Sequence, residues 1–89
     1  MVEVMVRADG LEVHEVPDGY IIYQHARDNV CYLNSTAAII FEFCDGKLDA
    51  DDIVGRVARM FDLNGSSHAE IKEGLASLVK EGLVQSHSK

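Results

Sequence analysis

Tyr32-Leu33-Asn34-Ser35-Thr36-Ala37-Ala38-Ile39-Ile40-Phe41-Glu42-Phe43-Cys44-Asp45-Gly46 is the stretch on which the fold turns. It begins inside a short run, Val30-Cys31-Tyr32-Leu33, whose residues suit a pleated, half-buried surface. Asn34 ends that run and makes a good helix N-cap, because its side-chain oxygen can accept an otherwise unpaired N–H. Ala37, Ile40, Phe41 and Cys44 then fall at i, i+3, i+4 and i+7, the spacing of one helix face. Gly46 supplies a left-handed stop. A strand therefore passes directly into a helix.

Toward the N-terminus the period is that of strands. Leu11, Val13 and Glu15 alternate with Glu12, His14 and Val16, and Pro17-Asp18-Gly19 turns the chain. Tyr20 to His25 is rich in β-branched and aromatic residues, and Ala26-Arg27-Asp28-Asn29 makes the next turn. Val30 to Leu33 is then the third strand. Short turns between strands imply an antiparallel meander. Residues 1–10 show little periodicity and end at Asp9-Gly10, which reads as a loose N-terminal arm or a short extra strand.

Toward the C-terminus two more helices are signalled. Asp49 is the N-cap of the second, with Asp52 following and with Leu48 and Ile53 in the flanking staple positions. Its expected face is Ile53, Val57, Met60 and Phe61, and Asn64-Gly65 breaks it. The third opens with Ser67 and Glu70 at capping-box spacing. Ile71, Leu75, Leu78 and Val79 form its expected stripe. Gly82 ends it, with Leu83 placed for the hydrophobic contact that accompanies a glycine stop. Residues 85–89 read as a polar tail. The order predicts an α+β domain over residues 11–84, a three-stranded antiparallel sheet followed by three helices, of winged-helix type, because the helices are the available cover for one face of the sheet.

The composition excludes several roles. The chain has 89 residues, which suits one small domain, and 47 % of them are apolar, enough for a modest core. Eight Lys and Arg stand against 15 Asp and Glu, a formal charge of −7, which argues against the basic face that displaces counterions from phosphates, though it leaves room for a local basic strip. Nucleic-acid binding and acidic membrane surfaces are both disfavoured. No window approaches the roughly 20 apolar residues of a membrane span. The N-terminal residues do not read as a signal peptide. A cytoplasmic, reducing location follows, with Cys31 and Cys44 as free thiols.

Enzymatic chemistry finds little support. His14, His25, His68 and His87 are scattered, and no ligand spacing for a metal is present. Cys31 and Cys44 lie on apolar faces, where a thiol behaves as a small hydrophobe. Asp49, Asp51 and Asp52 cluster at a helix start, where the dipole favours negative charge. No catalytic residue, metal or cofactor is expected. A helix-turn-helix reader would use the third helix, but Lys72 and Lys80 there are outnumbered by Glu70, Glu73 and Glu81. What remains is the edge of the meander. The strand Val30 to Leu33 carries no charged residue and no proline to block pairing, so it is a template for an added strand, unless a helix or the N-terminal arm covers it. The same edge permits exchange between two copies, hence a homodimer.

The chain also resembles the PqqD family, small domains also called RiPP recognition elements. The resemblance rests on Leu33-Asn34, Ala37, Asp45-Gly46, the helix from Ile53 to Phe61, and the closing Leu75, Leu78 and Gly82-Leu83-Val84, all in that order. It implies a non-catalytic peptide-binding domain. Such a domain captures the leader of a ribosomally made precursor peptide and presents it to a modifying enzyme, often of the radical-SAM kind. The implied site is Val30, Cys31, Tyr32 and Leu33 for strand addition, with Lys72, Leu75, Ala76 and Val79 of the third helix beside it. Members serving pyrroloquinoline quinone synthesis carry a Pro-Glu-Gly-like turn before the third strand. Here the turn reads Ala26-Arg27-Asp28-Asn29, so a related peptide-derived product fits equally well. The alternatives are a winged-helix regulator or a structural subunit acting through protein contacts.

Overall fold

Turns decide the geometry of the first half. In the computed structural model, which describes residues 3–60 and 67–88, β1 (Glu3–Arg7) precedes a meander of β2 (Leu11–Val16), β3 (Gly19–Gln24) and β4 (Asn29–Asn34). The three strands of the meander pair antiparallel in the order β2-β3-β4. Pro17 and Asp18 are the tip of the first turn, since Val16 pairs with Gly19. Gly19 has φ +155°, and a Cβ placed there would stand 1.8 Å from the Leu33 carbonyl oxygen. Only glycine lets β3 and β4 come this close. At the second turn Asp28 takes a left-handed φ of 48°, which an aspartate tolerates.

Helix α1 (Ser35–Phe43) follows β4 at once. The Asn34 side chain accepts a 2.9 Å hydrogen bond from the Ala37 N–H, as expected of the cap. Ile40, Phe41 and Cys44 are buried and Ala37 half-buried, so the expected face is the real one. Gly46 is left-handed, with φ +85°. It lies just past the cap and donates its N–H to the Met5 carbonyl at 2.9 Å. Helix α2 (Ala50–Met60) is capped by Asp49, whose Oδ1 accepts from the Asp52 N–H at 2.8 Å. Its buried stripe is Ile53, Val54, Val57 and Ala58. That stripe is centred toward Val54, which leaves Met60, expected inside, largely exposed. Phe61, Asn64 and Gly65 lie outside the described residues.

Helix α3 (Ser67–Lys80) ends as a Schellman motif. The Leu83 N–H reaches the Leu78 carbonyl at 3.0 Å and the Gly82 N–H reaches Val79 at 3.0 Å, with Gly82 at φ +79°. Leu78 and Leu83 are buried in the same core. Ile71 and Leu75 complete the buried line of α3, whereas Val79 stands on its flank, 41 % exposed.

The two ends of the chain meet. β5 (Val84–Ser88) pairs antiparallel with β1, from Glu3 opposite Ser88 to Arg7 opposite Val84. On its other side β1 is joined to the segment after α1: the Met5 N–H donates to Leu48 at 2.9 Å and the Arg7 N–H to Cys44 at 3.0 Å. The N-terminal arm thus contains a strand, and the segment read as a polar tail is its partner. Pairing, not side-chain pattern, makes β5 a strand, since only Val84 in it is buried.

The helices cover the inner face of β3 and β4, with Ile22, Leu33, Ile40, Phe41, Ile53, Val57, Ile71 and Leu83 at the centre of the core. β2 lies outside this cover and is exposed along most of its length, as a wing. Both cysteines are free. Among the described residues no helix is long and apolar enough to cross a membrane.

Candidate functional site

β4 is the outermost strand of its sheet, and among the described residues no strand pairs with its outer side. Alternate backbone N–H and C=O groups along such an edge face outward without a ladder partner. The N-terminal arm does not supply one, because β1 is engaged by β5 and by the segment after α1. Nor does α3 close on the strand. It stands across a hollow of about 450 Å³ whose wall on one side is Cys31 to Asn34 and on the other Gly74, Ser77 and Glu81 of α3. Leu78, Leu83 and Ala37 make an apolar floor.

Three local features place α3 relative to the sheet and so set the spacing of the two walls. Gly74 lets α3 come close to α1, since a Cβ there would stand 3.1 Å from the Ile40 Cδ1. Gln24, at the end of β3, is buried and donates from Nε2 to the Glu81 carbonyl at 2.9 Å. Its Oε1 accepts from Asn29 Nδ2 at 3.3 Å, which ties the start of β4 into the same network. Arg27 adds a second donor to the Glu81 carbonyl, at 3.1 Å. Every polar atom of this buried amide that needs a partner has one, the condition for a buried polar group to hold structure rather than weaken it.

Side chains on β4 alternate. Cys31 and Leu33 turn toward the hollow, while Val30 and Tyr32 are exposed on the opposite face. The Tyr32 hydroxyl donates to Asp18 Oδ2 at 2.8 Å, and that carboxylate neighbour pushes the phenol up from its ordinary value. Burial also pushes the Cys31 thiol up, with Glu81 adding to the shift and Arg27 opposing it. Cys44, deep in the core, is pushed up to about 12 by burial. Both sulfurs are therefore protonated near neutral pH, the opposite of what an activated nucleophile needs.

The helix residues implied for the site go elsewhere. Lys72, Leu75, Ala76 and Val79 line a separate hollow of about 400 Å³ on the other flank of α3, facing Met5 of β1 and Val54 of α2. The structure thus brings Cys31 to Leu33 together with Gly74, Ser77 and Glu81, leaves Val30 exposed on the opposite face, and does not bring the strand together with Lys72, Ala76 or Val79. Gly74 and Ser77 carry the signal that could have chosen the flank: small residues at this spacing mark the side of a helix where something approaches closely. Gln24 had no such signal, because its partners are set by the tertiary fold.

Elsewhere on the sheet, His14 and His25 stand on either side of Glu12, with Nε2 to carboxylate distances of 2.7 and 3.8 Å. The His14 hydrogen bond and charge hold the Glu12 carboxyl below its usual range. Among the described residues no group of three or more His, Cys, Asp or Glu is arranged to hold a metal ion.

Comparison with known proteins adds to this geometry. The sequence profile of the family described as Coenzyme PQQ synthesis protein D (PqqD) matches residues 19–84. Curated protein sequences give no match. A solved structure described as TbiB1 in complex with the TbiA(beta) leader peptide superposes with a TM-score of 0.74, covering 94 % of this chain and 99 % of that one. The identity is 10 %, so this is a likeness of fold.

Proposed function

The chain belongs to the PqqD family, and from that premise we propose that it is a non-catalytic carrier that captures the leader of a ribosomally made precursor peptide at β4. The observation that carries the reading is an unpaired strand edge standing across an apolar-floored hollow from α3. An extended peptide adds its backbone to β4, which gives affinity with little regard for sequence, and drops alternate side chains into the hollow, which selects the partner. The proposed contacts are Val30 to Leu33 with Gly74, Ser77 and Glu81. The fold likeness to a domain solved with a leader peptide supports the same reading.

The captured leader would be presented to a modifying enzyme of the radical-SAM kind, in the making of pyrroloquinoline quinone or a related peptide-derived product. The same edge is where two copies of the chain would pair, so pairing and leader capture would compete for β4.

An amide chemical-shift titration with a synthetic leader tests this. Shifts are expected to cluster in residues 29–34 and 74–83. Shifts that map instead to β2 or to the hollow lined by Ala76 and Val79 would overturn the site.

A further inference from the structure

We propose, building on leader capture at β4, that the leader is read on both faces of its strand. The recognised segment is then a run of consecutive apolar residues, not an alternation of apolar and polar ones. A strand added to β4 alternates its side chains across the sheet. Those on the inner face meet Cys31, Leu33 and the apolar floor of the hollow. An edge strand at a sheet with one solvated face ordinarily leaves the other set in water. Here the solvated face is not polar beside β4.

Val30 and Tyr32 are 60 % and 55 % exposed on that face, and Ile21, in register with Tyr32, is 37 % exposed. Tyr23 is in register with Val30. The four form a mostly apolar block two strands wide that reaches the open edge, with the Tyr32 and Tyr23 hydroxyls turned to the Asp18 and Asp28 carboxylates. On the other side of β3 the block stops, because the residues in register with Ile21 and Tyr23 are His14 and Glu12. The apolar surface is therefore off-centre, lying toward the strand that lacks a partner. Val30 and Tyr32 would sit directly opposite outward side chains of an added strand, at the roughly 4.5–5.5 Å Cβ spacing at which cross-strand pairs stabilise a sheet. The occupant that continues this block at the same register is the added strand itself.

The test uses a displayed library of random twelve-residue peptides selected on the whole domain, on Val30→Ser/Tyr32→Ser, and on Ser77→Trp. The serine changes fall at exposed positions, and a retained amide spectrum checks the fold. Peptides enriched on the wild type are expected to share runs of consecutive apolar residues. Peptides enriched on the double variant are expected to revert to alternation. A wild-type-selected peptide, made synthetically, should bind the double variant roughly three- to tenfold more weakly, the loss of two cross-strand pairs. If wild-type peptides alternate apolar with polar residues, or bind the double variant equally well, two-face reading is wrong while capture at β4 stands. If the enriched peptides bind Ser77→Trp as they bind the wild type, they do not lie in the hollow, and capture there falls together with this inference.

Discussion

Helix α3 separates two hollows of similar size and different character. On one flank Gly74, Ser77 and Glu81 face an edge strand with unpaired backbone groups across about 450 Å³. On the other, Ala76 and Val79 face Met5 and Val54 across about 400 Å³, with β1 on that side already paired to β5. A hollow beside paired backbone offers an incoming chain only side-chain contact. A hollow beside an open edge offers a ladder as well. The difference lies in hydrogen-bonding capacity more than in apolar area.

The largest effect that sharpens this contrast is on stability. Leu75 and Leu78 are buried one on each side of the α3 midline, so Leu75→Ala and Leu78→Ala should each cost roughly 2–5 kcal/mol in denaturant unfolding, the usual penalty for emptying a packed site. Both side chains belong to one core, so comparable losses are expected, and a loss confined to one would say that the flanks are held independently. Next comes leader binding. Ser77→Trp fills the hollow beside β4 and should weaken the leader by roughly 1–3 kcal/mol, the cost of overfilling a fitted space. Ala76→Trp on the other flank should leave it unchanged by calorimetry. If Ala76→Trp were the damaging change, the two flanks would have to exchange roles.

A smaller effect concerns thiol labelling. With its thiol pushed up from the ordinary value, Cys31 should react slowly with iodoacetamide near neutral pH and faster as pH rises, since the thiolate is the reactive form. Bound leader should slow it further, because Cys31 lies in the proposed contact. Cys44 should stay unlabelled in the folded state with or without leader. Mass spectrometry of the two cysteines reads both outcomes, and leader that leaves Cys31 labelling untouched would argue against contact with β4.

Local chemistry explains why much of this was legible in the sequence. The cap at Asn34, the cap at Asp49 and the glycine stop at Gly82 each depend on residues a few positions apart, and each forms the hydrogen bonds its pattern implies. The strand Val30 to Leu33 could be identified as an edge because it closes a three-stranded meander, and as an open one because it carries no charge or proline to block pairing. What the sequence did not disclose depends on distant partners. β5 is polar along Gln85 to Ser88 and becomes a strand only because β1 lies beside it. The flank of α3 that faces β4 is chosen by the buried amide of Gln24 reaching Glu81 and by the approach of Gly74 to Ile40, contacts between segments far apart in the chain. The apolar stripe of a helix marks its inward side, and leaves both flanks equal until the neighbours are placed.

The close approach at Gly19 has a thermodynamic consequence. It pins the Leu33 end of β4 against β3, while the amide pair of Asn29 and Gln24 holds the other end. The receiving strand is therefore ordered before any peptide arrives. The backbone entropy lost on binding then falls on the peptide, about 1–2 kcal/mol for each residue fixed. A leader segment already stiffened into an extended form, by cyclisation or by N-methylation on its outward side, should bind more tightly than its flexible parent. The improvement should appear in the entropy of binding, with the enthalpy little changed.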